Sequence, residues 1–130
     1  MVLATAAASI ARDKYKTTLT ARNHTGIADE PAEDNGSDLG PVPHELLLEA
    51  LGACTAITLR MYADRKEWPL EAVDVELDIS KDGANTTINR RINITGPMLT
   101  TEQHSRLIEV ANACPIHRIL TGPIKINTIE

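Results

Sequence analysis

Residues 40–63 read GPVPHELLLEALGACTAITLRMYA, and this stretch decides the fold. Glycine and proline punctuate its start, and residues 46–63 then follow as a helix that is apolar on almost every side. Such a helix has to be buried on every side. A chain of 130 residues has little material with which to cover it alone. We therefore expect a homodimer, in which either a sheet covers one side of the helix and the partner subunit the other, or the two chains interlock.

Alternating apolar and polar residues predict strands on both sides of this helix. Residues 71–80 and 86–95 alternate cleanly, and the Asp82-Gly83 pair between them is a turn signal, so the two read as an antiparallel hairpin. Residues 14–21 predict an earlier strand, and residues 22–25 either turn or begin a short second one. Residues 29–38 are acidic and rich in turn formers, which predicts a solvated loop.

A second helix is predicted after Thr100, because Thr100 and Gln103 have the spacing of a capping box. Pro115 ends this helical region, a short helical turn is expected at residues 116–120, and residues 124–129 alternate as a last strand. The predicted order of elements is typical of an α+β fold, in one domain over residues 1–130. The apolar stripe of the second helix is expected to consist of His104, Leu107, Ile108 and Ala111.

Composition limits the classes of partner. The net charge is -5 and basic residues do not cluster, which argues against nucleic acid and anionic membranes. We expect no segment long enough to span a bilayer. Residues 1–11 are small and apolar without a preceding basic residue, so they indicate a frayed or swapped terminus and no signal peptide. These features favour the cytoplasm, where thiols are kept reduced.

The first of the two cysteines, Cys54, lies inside the apolar helix. On local grounds it is a small buried hydrophobe. Burial raises the pKa of a thiol, so Cys54 stays inert unless a cation comes near it.

The second cysteine, Cys114, precedes Pro115. A residue before proline is extended and proline is favoured in the first turn, so Cys114 suits the N-cap of a helix. Amides and the helix dipole lower the pKa of a thiol placed there. These local effects predict that Cys114 has the lower pKa of the two thiols. The alternative is that Cys114 is a packing residue at a helix joint.

The sequence has no motif for a metal site, a phosphate-binding loop or a serine nucleophile. We expect no metal site, because the two cysteines lie far apart and the histidines lack ligand spacing. A glycine-rich phosphate loop is missing, and we expect no cofactor. A serine nucleophile motif is also missing. The four histidines are His24, His44, His104 and His117.

Three stretches taken together resemble the OsmC/Ohr family over nearly the whole chain. They are DEP at residues 29–31, GPVPHELLLEALGACT at residues 40–55 and ACPIH at residues 113–117. Neither the leucine-rich run into Ala-Cys nor the later Cys-Pro-x-His is specific alone. The two motifs together in one chain are specific. The features are more similar to the general OsmC-like branch than to the branch specialised for organic hydroperoxides.

The resemblance implies a fold and an activity. The implied fold is an interlocked dimer with long central helices packed between antiparallel β-sheets. The implied activity is a thiol peroxidase that reduces hydroperoxides, organic ones especially, in oxidative-stress defence. By this resemblance Cys54 is the peroxidatic thiolate that becomes a sulfenic acid, Cys114 condenses with it to a disulfide, and an external dithiol restores both thiols.

The resemblance also implies an activating shell around Cys54. Family members use an arginine from the N-terminal region, oriented by a glutamate ahead of the long helix, which stabilises a buried thiolate. Here the glutamate position falls on His44 and Glu45 is the adjacent carboxylate, while Arg22 is the N-terminal arginine that matches by region. We therefore predict Arg22, Glu45 and His44 as this shell. A solvated strand-end charge for Arg22 and a first-turn helix residue for Glu45 are the alternatives.

Two other functions stay open at this point. The fold could bind a small hydrophobic molecule or a protein at the dimer cleft, with both cysteines as packing residues. Alternatively, the cysteines could form a redox sensor whose disulfide signals without efficient turnover.

Overall fold

The structure is a computed structural model that describes residues 1–130. Its helices and strands confirm the predicted α+β class. The chain divides into two compact units, Met1–Leu47 and Leu48–Glu130. In chain order the elements are β1 (Ala7–Ser9), β2 (Thr17–Ala21), β3 (His24–Ala28), α1 (Pro43–Lys66), β4 (Ala72–Asp82), β5 (Asn85–Thr95), α2 (Thr101–Val110) and α3 (Pro115–Thr121).

The first unit contains an antiparallel sheet of three strands in the order β1-β2-β3. A tight turn joins β2 to β3, where Ala21 pairs with His24. The terminal residues predicted as frayed or swapped include β1, which pairs Ala7 with Thr20. That expectation is wrong for these three residues, because their backbone groups complete the hydrogen bonding along the edge of β2.

The loop after β3 is built around a buried carboxylate, so the prediction of a solvated loop is wrong at its first residue. Asp29 is 2% exposed. Its carboxylate accepts backbone N–H groups from Tyr15 at 3.0 Å, Glu30 at 2.7 Å and Leu39 at 3.1 Å. Burial alone would raise the pKa of Asp29, but the backbone N–H donors outweigh it and lower the pKa.

The second unit contains the predicted hairpin, which is confirmed. The two 11-residue strands β4 and β5 pair in full register from Ala72 opposite Thr95 to Asp82 opposite Asn85. Gly83 has a φ of 61° in the turn, a conformation that glycine adopts without strain. One face of the ribbon is half-buried and the other is exposed. A two-stranded ribbon needs such a packed face to be stable.

The core of the second unit joins α1 to α2. The capping box predicted at the start of α2 is confirmed, since Thr100 and Gln103 exchange side-chain and backbone hydrogen bonds at 3.1 and 3.0 Å. The predicted stripe on α2 is partly wrong, because His104 and Ile108 are exposed and Val110 continues the buried line from Leu107. The buried cluster consists of Leu59, Ala63, Leu70, Leu107, Val110 and Ala111.

The last strand predicted from the sequence is absent. Residues 122–130 have no regular secondary structure and all of them are exposed. Ile124 and Ile126 would share one face of such a strand, but a strand also needs a neighbour for its backbone N–H and C=O groups. No strand pairs with this segment within the single chain.

Helix α1 is longer than predicted and is apolar enough, over its 24 residues, to pass as a membrane span by length and composition. The expectation that no segment has such a length is therefore wrong. One line of α1 is nevertheless buried inside the second unit, as in the core helix of a folded domain: Leu51, Gly52, Thr55, Leu59 and Ala63. On other sides Ile57 and Met61 are 52% and 60% exposed.

Candidate functional site

The two cysteines meet in the second unit. Cys54 lies on α1 and is half-buried, whereas Cys114 is fully buried at the start of α3. Both are free thiols, and each lies close enough to the other to alter its pKa. The structure thus brings together two residues that lie 60 positions apart in the sequence.

Cys114 owes its position to the proline that follows it. The residue has a φ of -55° and a ψ of 127°, the extended conformation that a following proline favours. It caps α3 as predicted, and Pro115 occupies the first turn. Its own N–H closes the preceding 3-10 turn by donating to Ala111 O at 3.3 Å. Cys114 is therefore held at a rigid joint between two helical segments.

The two thiols have opposite pKa shifts. Burial is the largest influence on Cys54 and raises its pKa, and the interaction with Cys114 raises it further. Burial also acts to raise the pKa of Cys114, but hydrogen bonding from the Cys54 thiol outweighs it, together with the backbone N–H groups of His117 and Ile116. These two amides make no complete capping bond to the sulfur and act as nearby positive dipoles. The pair therefore loses its first proton from Cys114, while Cys54 keeps its own.

A polar link reaches this pair from the hairpin. Thr55, which follows Cys54 on α1, is completely buried and donates its hydroxyl to Leu51 O at 2.7 Å. The guanidinium of Arg90 donates through Nη1 to Thr55 Oγ1 at 3.0 Å and through Nη2 to Asn112 Oδ1 at 3.4 Å. Thr55 is also one of the groups that lower the pKa of Cys114.

Close packing of the ribbon on α1 makes this link possible. Arg90 lies opposite Leu77 in the β4–β5 register. The Leu77 side chain comes so close to Gly52 that a Cβ there would lie 2.9 Å from Leu77 Cδ1. Since glycine has no side chain, the half-buried face of the ribbon approaches α1 within reach of Thr55.

The three residues predicted as an activating shell lie in the first unit, whereas Cys54 and Cys114 lie in the second. Arg22 is exposed in the β2–β3 turn with a φ of 55°. His44 and Glu45 are exposed in the first turn of α1, more than two helical turns before Cys54. Glu45 Oε1 accepts the Val42 N–H at 2.8 Å, which is the local first-turn role given above as its alternative.

Arg90 was missed by the sequence-based prediction, although the sequence carries a signal for it. The isoleucines at 88, 92 and 94 form the apolar face of β5, and Arg90 stands on that same face by the two-residue period. A charge in an apolar row has to find polar partners or an exit to solvent. The alternation therefore marked Arg90 as a residue with a specific partner.

No three His, Cys, Asp or Glu side chains come together as a metal site would need. The site that the structure offers is thus a thiol pair with a hydroxyl and a guanidinium beside it. Such an arrangement suits two-electron thiol chemistry, since the pKa of one thiol is lowered and the other thiol is only half-buried.

Comparison with known proteins shows which family and which solved structures the chain is similar to. A family model described as OsmC-like protein matches residues 35–129, well over half of the chain. An OsmC-like protein from Mycoplasma pneumoniae is similar in structure, with a TM-score of 0.78, 22% identity, and coverage of 93% of this chain and 89% of that one. A search of curated protein sequences gave no match.

Two further solved structures share the fold at low identity. An OsmC-like protein of unknown function from Vibrio cholerae has a TM-score of 0.74 and 14% identity, over 93% of this chain and 95% of that one. The organic hydroperoxide resistance protein OhrB of Bacillus subtilis has a TM-score of 0.64 and 18% identity, over 93% and 92%. With the family model covering most of the sequence, the chain belongs to the OsmC-like family.

Proposed function

We propose that this chain is a thiol peroxidase that reduces hydroperoxides, organic ones included, with Cys54 and Cys114. The observation that carries the proposal is the meeting of a half-exposed thiol with a buried thiol of lowered pKa. Solved structures with the same fold that are named for organic hydroperoxide resistance support it.

The two sulfurs have different roles in the first step, because they differ in accessibility and in ionisation. Cys54 is the sulfur that a peroxide can reach, while Cys114 is the sulfur that is ionised first and can accept a proton. The Cys114 thiolate takes the proton of Cys54 as the Cys54 sulfur attacks the terminal peroxide oxygen. The S–O bond forms and the O–O bond breaks, so Cys54 is oxidised to a sulfenic acid. The departing alkoxide takes the proton held by Cys114 and leaves as an alcohol.

The second step closes the disulfide. The regenerated Cys114 thiolate attacks the Cys54 sulfur, the S–S bond forms, and the hydroxide that leaves becomes water with a proton from solvent. Two electrons have then passed from the thiol pair to the peroxide. An external dithiol reduces the disulfide by thiol–disulfide exchange and restores both cysteines.

The proposal includes a homodimer. Ile57 and Met61 on α1 are more than half exposed, as are Ile124, Ile126 and Ile129 after α3. Large apolar side chains left exposed in this number favour a protein partner over water. A second copy of the chain is the partner we propose, in the cytoplasm, where the thiols stay reduced between turnovers.

Peroxide consumption by the reduced protein tests the proposal. With a dithiol reductant, wild type is expected to consume cumene hydroperoxide and Cys54→Ser to consume none. Cys114→Ser should give one turnover and a Cys54 sulfenic acid that a sulfenate-specific reagent traps. Equal turnover by Cys54→Ser and wild type would overturn the proposal.

Mass spectrometry after a stoichiometric dose of peroxide separates the alternatives. A Cys54–Cys114 disulfide supports the peroxidase. Thiols that remain unmodified would favour a ligand-binding protein with structural cysteines. Slow oxidation without recycling by a dithiol would favour a redox sensor.

A further inference from the structure

We propose that Arg90 is a positioning residue of the cysteine pair, acting through the hydroxyl of Thr55 to favour the ionised form of Cys114. Its consequence for turnover rests on the proposed peroxidase function, whereas its effect on the thiols does not. The assignment adds a cation from the hairpin to the site, and the shell of Arg22, Glu45 and His44 stays a prediction.

The guanidinium of Arg90 lies where a charge needs hydrogen-bond partners. Arg90 is half-buried on the apolar face of β5, between Ile88 and Ile92. A charge on such a face is costly unless it is hydrogen-bonded. Its side-chain hydrogen bonds go to Thr55 on α1 and to Asn112, two residues before Cys114. The guanidinium therefore ties together the two segments that carry the cysteines.

No carboxylate of the chain forms a salt bridge with this charge. The salt bridges of the structure pair Arg60 with Asp64 and Arg106 with Glu109, and neither includes Arg90. Glu76 and Asp78 of β4 lie on the exposed face of the ribbon, opposite to the face of Arg90. An arginine whose charge is not cancelled can polarise the groups to which it donates.

The Thr55 hydroxyl has a single proton to donate. Arg90 Nη1 already donates to Oγ1, so the oxygen is a poor acceptor for a protonated thiol at Cys114. The same donation makes the Thr55 O–H a stronger donor, and a thiolate at Cys114 can accept it in competition with Leu51 O. Both effects favour the thiolate over the thiol.

The other groups around Cys114 do not supply this charge. From α1 it meets the Cys54 thiol and the Thr55 hydroxyl, and from α3 it meets the backbone N–H groups of Ile116 and His117. Arg118 is exposed in the last turn of α3 and donates its N–H to Cys114 O rather than to the sulfur. Arg90 is thus the cation with a hydrogen-bonded path to the thiol pair.

The test is a pH titration of the thiolate by ultraviolet absorbance, with Arg90→Met as the variant. Arg91→Met is the matched control, because Arg91 is the next residue but lies on the exposed face. Arg90→Met is expected to lower the thiolate fraction near neutral pH several-fold, and Arg91→Met to leave it unchanged. Far-UV circular dichroism checks that each variant folds. If Arg90→Met does not fold, Arg90→Lys keeps the charge but loses the second donor and should give a smaller loss.

A double-mutant cycle separates a path through Thr55 from a purely structural role. Thr55→Val alone should lower the thiolate fraction as Arg90→Met does. Thr55→Ser keeps a hydroxyl and should retain the wild-type thiolate fraction. In the Thr55→Val background Arg90→Met should add no further loss. Additive losses would show that Arg90 does not act through Thr55, and the proposal would be withdrawn.

The same variants keep this inference distinct from the proposed function. Suppose that wild type consumes no peroxide but Arg90→Met still shifts the thiolate titration. This result would support the positioning role and contradict the proposed peroxidase function. Normal peroxide turnover with an unchanged titration in Arg90→Met would do the reverse.

Discussion

The backbone N–H of Tyr15 donates to Asp29 Oδ1 at 3.0 Å, which joins two residues 14 positions apart around a carboxylate that is almost completely buried. Glu30 and Leu39 donate to the same carboxylate. The loop after β3 is therefore folded around one charge. Its protonation state should control the stability of the first unit.

The stability of the folded protein should fall in acid because of Asp29. Its pKa in the folded state lies below the ordinary value of 3.8, so its contribution is fully present above that value and is lost as the pH falls through the lowered pKa. Wild type should exceed Asp29→Asn in denaturant midpoint near neutral pH, and the difference should shrink in acid. Asp34→Asn is the control, because Asp34 is exposed in the following 3-10 turn. A difference that is independent of pH would contradict the prediction.

Gly36 should tolerate no side chain. A Cβ at this position would overlap the backbone carbonyl of Glu30, which cannot rotate away as a flexible side chain can. We expect Gly36→Ala to lower the free energy of unfolding by about 2 kcal/mol or more. Gly26→Ala is the matched control, since nothing lies within 4 Å of its Cβ position. Urea denaturation of both variants checks this, and equal stabilities would count against the described loop.

The capping box of α2 should contribute measurably to stability. Thr100→Ala removes the acceptor of the Gln103 N–H and should cost about 1 kcal/mol in the free energy of unfolding. Thr101→Ala, one residue later and exposed, should have a much smaller effect. Chemical denaturation gives both values, and a Thr101→Ala loss as large as that of Thr100→Ala would show that the cap is not the cause.

The cysteines should titrate as a coupled pair. Cys54→Ala removes a hydrogen-bond donor to the Cys114 sulfur, so the pKa of Cys114 should rise. Cys114→Ala removes the partner that raises the pKa of Cys54, so that pKa should fall. Ultraviolet titration of the thiolate in each variant measures both directions. Two thiols that titrate identically in wild type and variants would show that they do not interact.

Much of the fold could be predicted because local patterns carried it. Two-residue alternation predicted β4 and β5, and the Thr100–Gln103 spacing predicted the start of α2. The strand predicted at residues 124–129 failed because pairing depends on a neighbour that the local sequence does not specify. Asp29 was misjudged for a related reason, since its N–H donors come from residues up to 14 positions away.

The site was predictable in part. Cys114 at a helix N-cap followed from Pro115 alone. The contact between Cys54 and Cys114 depends on how α3 meets α1, which no local pattern determines. Arg90 was visible as a charge in an apolar row, but its partner Thr55 lies 35 residues away and required the tertiary structure.

The unequal acidity of Cys54 and Cys114 has an electrochemical consequence. Between the two pKa values the reduced pair holds one proton, so forming the disulfide releases two electrons but a single proton. The midpoint potential of the pair should then fall by about 30 mV per pH unit in that range, half the slope of an ordinary dithiol. The oxidising strength of the site is thereby buffered against changes in the pH of its surroundings.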